Sequence, residues 1–166
     1  MPSSTLLRRL LALSLLALLA IPESAVGAET PAWRWPVTSP PTVLRQFVAP
    51  LARYGPGHRG VDLGLPISAK ILAPAPGTVV FNGIVARIPT LVLDHGGGLR
   101  STYQPVISTL KVGQTVAVGA AIGSLVATGG HCAPKSCLHW GARNSAGYLD
   151  PVRLVRRTMP VLLPLP

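Results

Sequence analysis

The sequence predicts an all-β domain, sandwich- or barrel-like, closed by one short C-terminal helix. Three observations predict it. Glycine and proline, 17 and 18 of the 166 residues, recur every few positions, so no stretch of ten or more sustains a helical apolar period. Short runs rich in β-formers sit between them. Their even spacing, with no helical segments in between, suits sheet-on-sheet packing better than alternating strands and helices.

In chain order, the first segment reads as an address. Arg8 and Arg9 precede the apolar run "LLALSLLALLAI", whose 12 residues fall short of the roughly 18–20 that cross a bilayer. Val26 and Ala28 then stand where signal peptidases read small residues, which predicts a signal peptide over 1–28, cleaved before Glu29. The mature chain of 138 residues suffices for one domain and has no second hydrophobic span. Residues 29–53 read as an extended, proline-rich lead-in and 54–157 as the domain. The predicted strands are "GVDLGL", "GTVVFNGIV", "TLVLDHG", "LRSTYQPV", "QTVAVG" and "CLHWGAR". Asp150 can cap a helix that Pro151 opens and "VRLVRR" continues. Residues 158–166 read as an irregular tail.

Charge narrows the class of partner. The formal net charge is +10, and removing Arg8, Arg9 and Glu23 with the signal leaves 13 basic and 4 acidic residues, +9. Such a balance favours polyanions. The basic residues are scattered, however, and the aromatics interleaved with charge that single-strand binders use are missing, which argues against nucleic acid. For an exported protein the charge favours retention at an anionic envelope polymer.

Two segments hold the chemistry. In "GHRGVDLG" a strand through Val61, Asp62 and Leu63 turns Asp62 to the face opposite its neighbours, and Gly60 permits the turn that brings His58 alongside. In "HCAPKSCLHW", residues 131–140, two cysteines and two histidines lie within ten positions. Strand alternation places Cys137, His139 and Gly141 on one face, with Leu138 and Trp140 on the core side. Two imidazoles and a carboxylate form a ligand set that zinc accepts with one position open. Cys132 and Cys137 are the only cysteines. Export and the turn-forming "APKS" favour a disulfide; thiolate ligation by Cys137, which would close the metal site, is the alternative.

Read in order, "GHRGVDLG", "APAPGTVV", "LVLDHGGGLRSTY", "VGQTVAVGAAIGSL" and "CLHWGAR" resemble the lysostaphin-type (LytM-like) zinc endopeptidases, which cut peptide cross-links in bacterial peptidoglycan. The resemblance runs from about Tyr54 to Asp150. It implies antiparallel sheets of the duplicated-hybrid-motif, barrel-sandwich kind around a cleft with the metal at its floor. It implies one zinc ion held by His58, Asp62 and His139. It further implies secretion to the bacterial cell envelope, peptidoglycan or another anionic wall polymer as partner, and another wall hydrolase as the partner of an inactive relative.

The chain departs from the family at two positions. Cys137 stands where the family's H-x-H motif begins, and Pro105 stands two residues after Tyr103, where the family has a further histidine. The ligands remain and both non-ligand histidines are gone. Three readings follow: hydrolysis with substitutes, His131 for the proton and Tyr103 for the oxyanion; zinc binding without activity, leaving a wall-binding or hydrolase-regulating module; or a closed structural site with Cys137 as fourth ligand. A cysteine hydrolase on Cys137 would need a free thiolate. A lipoyl-type carrier would need a lysine at a hairpin tip, which Lys111 does not occupy.

The other marked residues have ordinary roles as first expectation. His95 in "DHGGG" reads as structural and Trp140 as core. Trp33 and Trp35 brace the domain edge or touch glycan. Arg59 and Arg143 flank the ligand segments as a solvated face or as holders of a substrate carboxylate.

Overall fold

The structure, a computed structural model, describes residues 33–52, 54–127, 132 and 134–155. The expected signal segment, His131 and the tail lie outside the described residues. Among those described, every named strand pairs antiparallel. The larger, eight-stranded sheet runs β1 (Thr42–Arg45), β2 (Gly60–Gly64), β10 (Cys137–Asn144), β6 (Arg100–Gln104), β5 (Ile88–Asp94), β4 (Gly77–Val85) and β8 (Thr115–Val116), with β11 (Gly147–Leu149) hairpinned onto β10. The smaller sheet is β3 (Lys70–Leu72), β9 (Ala121–Leu125) and β7 (Val106–Ile107). This is the all-β antiparallel architecture the sequence predicts. No helix among the described residues is long and apolar enough to cross a membrane.

The alternation read in "GVDLG" and "CLHWGAR" is what builds the core. Val61, Leu63, Leu138 and Trp140 are fully buried on one face, joined there by Leu91, Leu93 and Tyr103 from the neighbouring strands. The expected "QTVAVG" strand is shortened to β8. Gly119, with φ of 78°, turns the chain after β8 and sends β9 into the smaller sheet. The helix α1 (Pro151–Val155) forms where expected, Asp150 Oδ1 accepting the Val152 N–H at 3.0 Å.

The lead-in is part of the domain. β1 pairs along β2, and Trp33 lies 5% exposed, its ring 5.9 Å from that of Trp140. The Trp33 N–H donates to the Leu154 carbonyl at 2.9 Å, tying the lead-in to α1. Trp35 packs on Trp140 from 6.2 Å. Both tryptophans therefore brace the core, and truncating the buried Trp33 costs about 3–5 kcal/mol.

His95 is structural, as its place before the glycine turn suggests. Its Nδ1–H donates to the Pro76 carbonyl at 2.7 Å, which leaves Nε2 to accept from the Ser101 hydroxyl at 2.7 Å. Ser101 in turn accepts from the Tyr103 hydroxyl at 2.7 Å. Burial lowers the His95 pKa below its ordinary value of 6.5, against the opposing pull of the Pro76 carbonyl and Asp94. The folded chain then resists a proton that the unfolded chain accepts near pH 6.5, so this contribution is whole above 6.5 and is lost as pH falls towards the lowered value. Melting midpoints of wild type and His95→Gln, measured in parallel from neutral to mildly acidic pH, should converge as pH falls. A constant gap would show that His95 titrates as it does in the unfolded chain.

Candidate metal centre

β2 and β10 lie side by side with Asp62 directly opposite His139, so both side chains rise from the same face, away from the core. His58 precedes β2 and is held there by an isolated bridge with Val48. The three ligand atoms form a near-equilateral triangle. His58 Nε2 lies 3.1 Å from Asp62 Oδ1 and 3.1 Å from His139 Nδ1, and His139 Nδ1 lies 2.9 Å from Asp62 Oδ1. Ligands on a tetrahedral zinc, with bonds of about 2.0–2.1 Å, stand about 3.3 Å apart, so the triangle has the right size.

The protonation of His58 supports the same conclusion. Its Nδ1 lies 2.7 Å from the Gln46 carbonyl, which can only accept, so Nδ1 carries a hydrogen and the neutral ring presents its Nε2 lone pair to the cluster. A lone pair facing a carboxylate oxygen is what a shared cation resolves. The cluster is buried on two sides, with His58 and Asp62 side chains 5% and 1% exposed, and opens at His139, 17% exposed. The residues fit one zinc ion with a position left for water or substrate.

Cys132 and Cys137 are joined in a disulfide, with Cα atoms 6.0 Å apart, and no free cysteine remains. Cys137 therefore offers no thiolate. This excludes both the closed four-ligand site and the cysteine nucleophile while the bond is intact. The sulfurs lie within 4.8 Å of an Asp62 carboxylate oxygen, so the disulfide walls the cluster on that side.

Tyr103 is not brought to the cluster. It pairs with Trp140, not His139, and so faces the core, fully buried, its hydroxyl spent on Ser101. Burial raises its pKa far above that of an exposed phenol. A role for it at the oxyanion is corrected by the register of β6 on β10. Pro105 is buried, and the His131 expectation falls outside the described residues. The residue that β6 places beside His139 is Gln104, whose amide nitrogen donates to Thr90 Oγ1 at 2.7 Å. Sequence reasoning passed over it because the β6–β10 register decides which residue faces the cluster. Gln46 was missed as well. It acts through its main-chain carbonyl, which leaves no side-chain signal.

An antiparallel sheet carrying two histidines and an aspartate in metal-binding geometry on its open face defines the class as an all-β domain with a candidate metal centre. The family model described as Peptidase family M23 matches residues 56–151, and the chain belongs to that family. An uncharacterised protein of Mycobacterium tuberculosis is 43% identical over 135 residues, covering 79% of this chain and 54% of the relative. This chain thus spans about half the length of that curated relative. Among solved structures, a zinc-containing peptidase from Vibrio cholerae superposes with a TM-score of 0.62 at 22% identity, over 78% of this chain and 41% of that one. The catalytic domain of lysostaphin from Staphylococcus simulans superposes with a TM-score of 0.55 at 26% identity, over 67% and 88%.

Proposed function

We propose that the protein is a secreted, zinc-dependent endopeptidase that acts on peptide cross-links of bacterial cell-wall peptidoglycan. The observation that supports this most is the triangle of His58 Nε2, Asp62 Oδ1 and His139 Nδ1, whose donor types and spacing suit zinc and whose His139 side is open. Zinc bound there supplies Lewis acidity, polarising the scissile carbonyl and lowering the pKa of bound water. The chain's own residues do the rest. The Gln46 carbonyl fixes the His58 tautomer, the disulfide walls the cluster beside Asp62, and Gln104, the β6 partner of His139, is held by its amide donation to Thr90. His131 is the residue assigned to the proton, and His131→Ala tests that assignment.

A second reading rests on a specific observation. The two positions where the family carries its non-ligand histidines hold a disulfide sulfur and a buried proline. A catalytic base is worth about 10²–10⁴-fold, so without a replacement the domain becomes a zinc-holding module that binds wall material or regulates another hydrolase. One experiment separates the two. Purified peptidoglycan is digested with the protein, with and without chelator, while bound zinc is measured by atomic absorption. Under the endopeptidase reading, about one equivalent of zinc is retained and peptide release stops with chelator. Zinc without release moves the assignment to the module, and neither zinc nor release defeats both.

A further inference from the structure

The open face of the sheet continues past the metal cluster into a groove that neither the ligands nor the disulfide uses. Gly60 and Gly141 are partners across β2 and β10, next along the strands from Asp62 and His139 on the same face. They leave the floor there without side chains. Beyond them lies a groove of about 1000 Å³ lined by Arg59, Arg143, Tyr54 and Tyr148.

The charges in this groove are arranged as a receptor for an anion. Arg143 follows His139 by four strand residues, about 13 Å along the chain, and projects from the same face. Tyr148 is its partner on β11, and the Arg59 guanidinium sits 5.3 Å over the Tyr148 ring. On its other side Arg143 stands directly opposite Arg100, a cross-strand pair of like charge that is unfavourable unless neutralised. Asp94 neutralises Arg100 at 2.9 Å. Among the described residues no carboxylate lies within ion-pair distance of Arg143, which is exposed. Its planar fork suits a carboxylate better than a lysine would.

We propose that this groove binds a free carboxylate of the peptide substrate, held by Arg143 and Arg59, three to four residues along an extended peptide from the bond at the metal. The inference rests on the peptidase reading for the direction of the peptide and deepens it. The substrate class becomes a peptide with an acidic group at that distance, so amidation of the group weakens binding.

The probe is a synthetic peptidoglycan stem tetrapeptide with its carboxylates free, compared with the same peptide fully amidated. Both are titrated calorimetrically at low salt into His139→Ala protein, where cleavage is removed and binding alone is read. The acid form should bind about tenfold more tightly than the amide. Arg143→Gln, added to that background, should bring the ratio to about twofold or less, with Arg143→Lys intermediate. Added salt should shrink the ratio. Equal binding of acid and amide, no binding of either, or a ratio unchanged by both Arg143→Gln and Arg59→Gln overturns the proposal. Failure of the peptidase reading looks different: wild-type protein releases nothing from peptidoglycan while the acid-to-amide ratio persists. Release with a ratio of one removes the groove alone.

Discussion

Asp62→Ala protein should purify without zinc and, on the proposed function, without activity. Asp62 is the only carboxylate in the cluster, 1% exposed, with Oδ1 within 3.1 Å of both ligand nitrogens. Its removal takes away one of three candidate ligand atoms and, among the described residues, the only negative charge in the cluster that would offset an ion. Loss of an outer partner of a metal ligand costs about 10–100-fold in affinity, and loss of the ligand itself costs more, so bound zinc should fall below about a tenth of an equivalent. Asp62→Asn keeps the volume and the oxygen but loses the charge, and should fall between. Zinc content by atomic absorption, with circular dichroism to show an intact sheet, decides the matter. A folded Asp62→Ala protein holding a full equivalent would place the ion elsewhere.

Gly60→Ala should be the most damaging one-methyl change beside the metal cluster. A Cβ at Gly60 would lie 2.5 Å from the Trp140 carbonyl oxygen and 2.8 Å from His139 Nε2. The first is backbone of the partner strand, so β2 and β10 must part where they pair most closely. The second is the ring of a metal ligand, so the same movement displaces His139. Overpacking of this kind costs about 1–3 kcal/mol, and the disturbed ladder adds to it. Gly141→Ala provides the scale. Its Cβ would meet the Arg59 carbonyl at 3.1 Å, a contact a small shift relieves. Denaturant midpoints should rank wild type, Gly141→Ala, Gly60→Ala in falling order, and zinc competition should show weakened affinity for Gly60→Ala. Gly60→Ala at wild-type stability would mean the two strands are not so closely apposed.

Side-chain alternation made much of this readable in advance. Once "GVDLG" and "CLHWGAR" are strands, Asp62 and His139 must face away from Val61, Leu63, Leu138 and Trp140, and the structure brings His58, Asp62 and His139 together. Strand register was not readable. It puts Tyr103 opposite Trp140 and Gln104 opposite His139, and a one-residue slip would exchange them. Nor was β1 readable within a proline-rich stretch, although "TVLR" has strand character. Its pairing with β2 depends on a partner 17 or more residues later. The tautomer of His58 was hidden for another reason: it is fixed by a carbonyl that any residue at position 46 would supply.

The Trp33–Leu154 tie and the Gln46–His58 contact bear on modularity. The stretch matched by the family model, 56–151, is shorter than the unit that forms the core and the metal cluster. Trp33 supplies part of the core, Gln46 orients a ligand, and Leu154 anchors Trp33, yet all three lie beyond those limits. In this chain the matched segment is thus a centre that the flanking residues complete. A version of this chain cut to 56–151 would uncover the Trp140 indole and take the carbonyl away from His58.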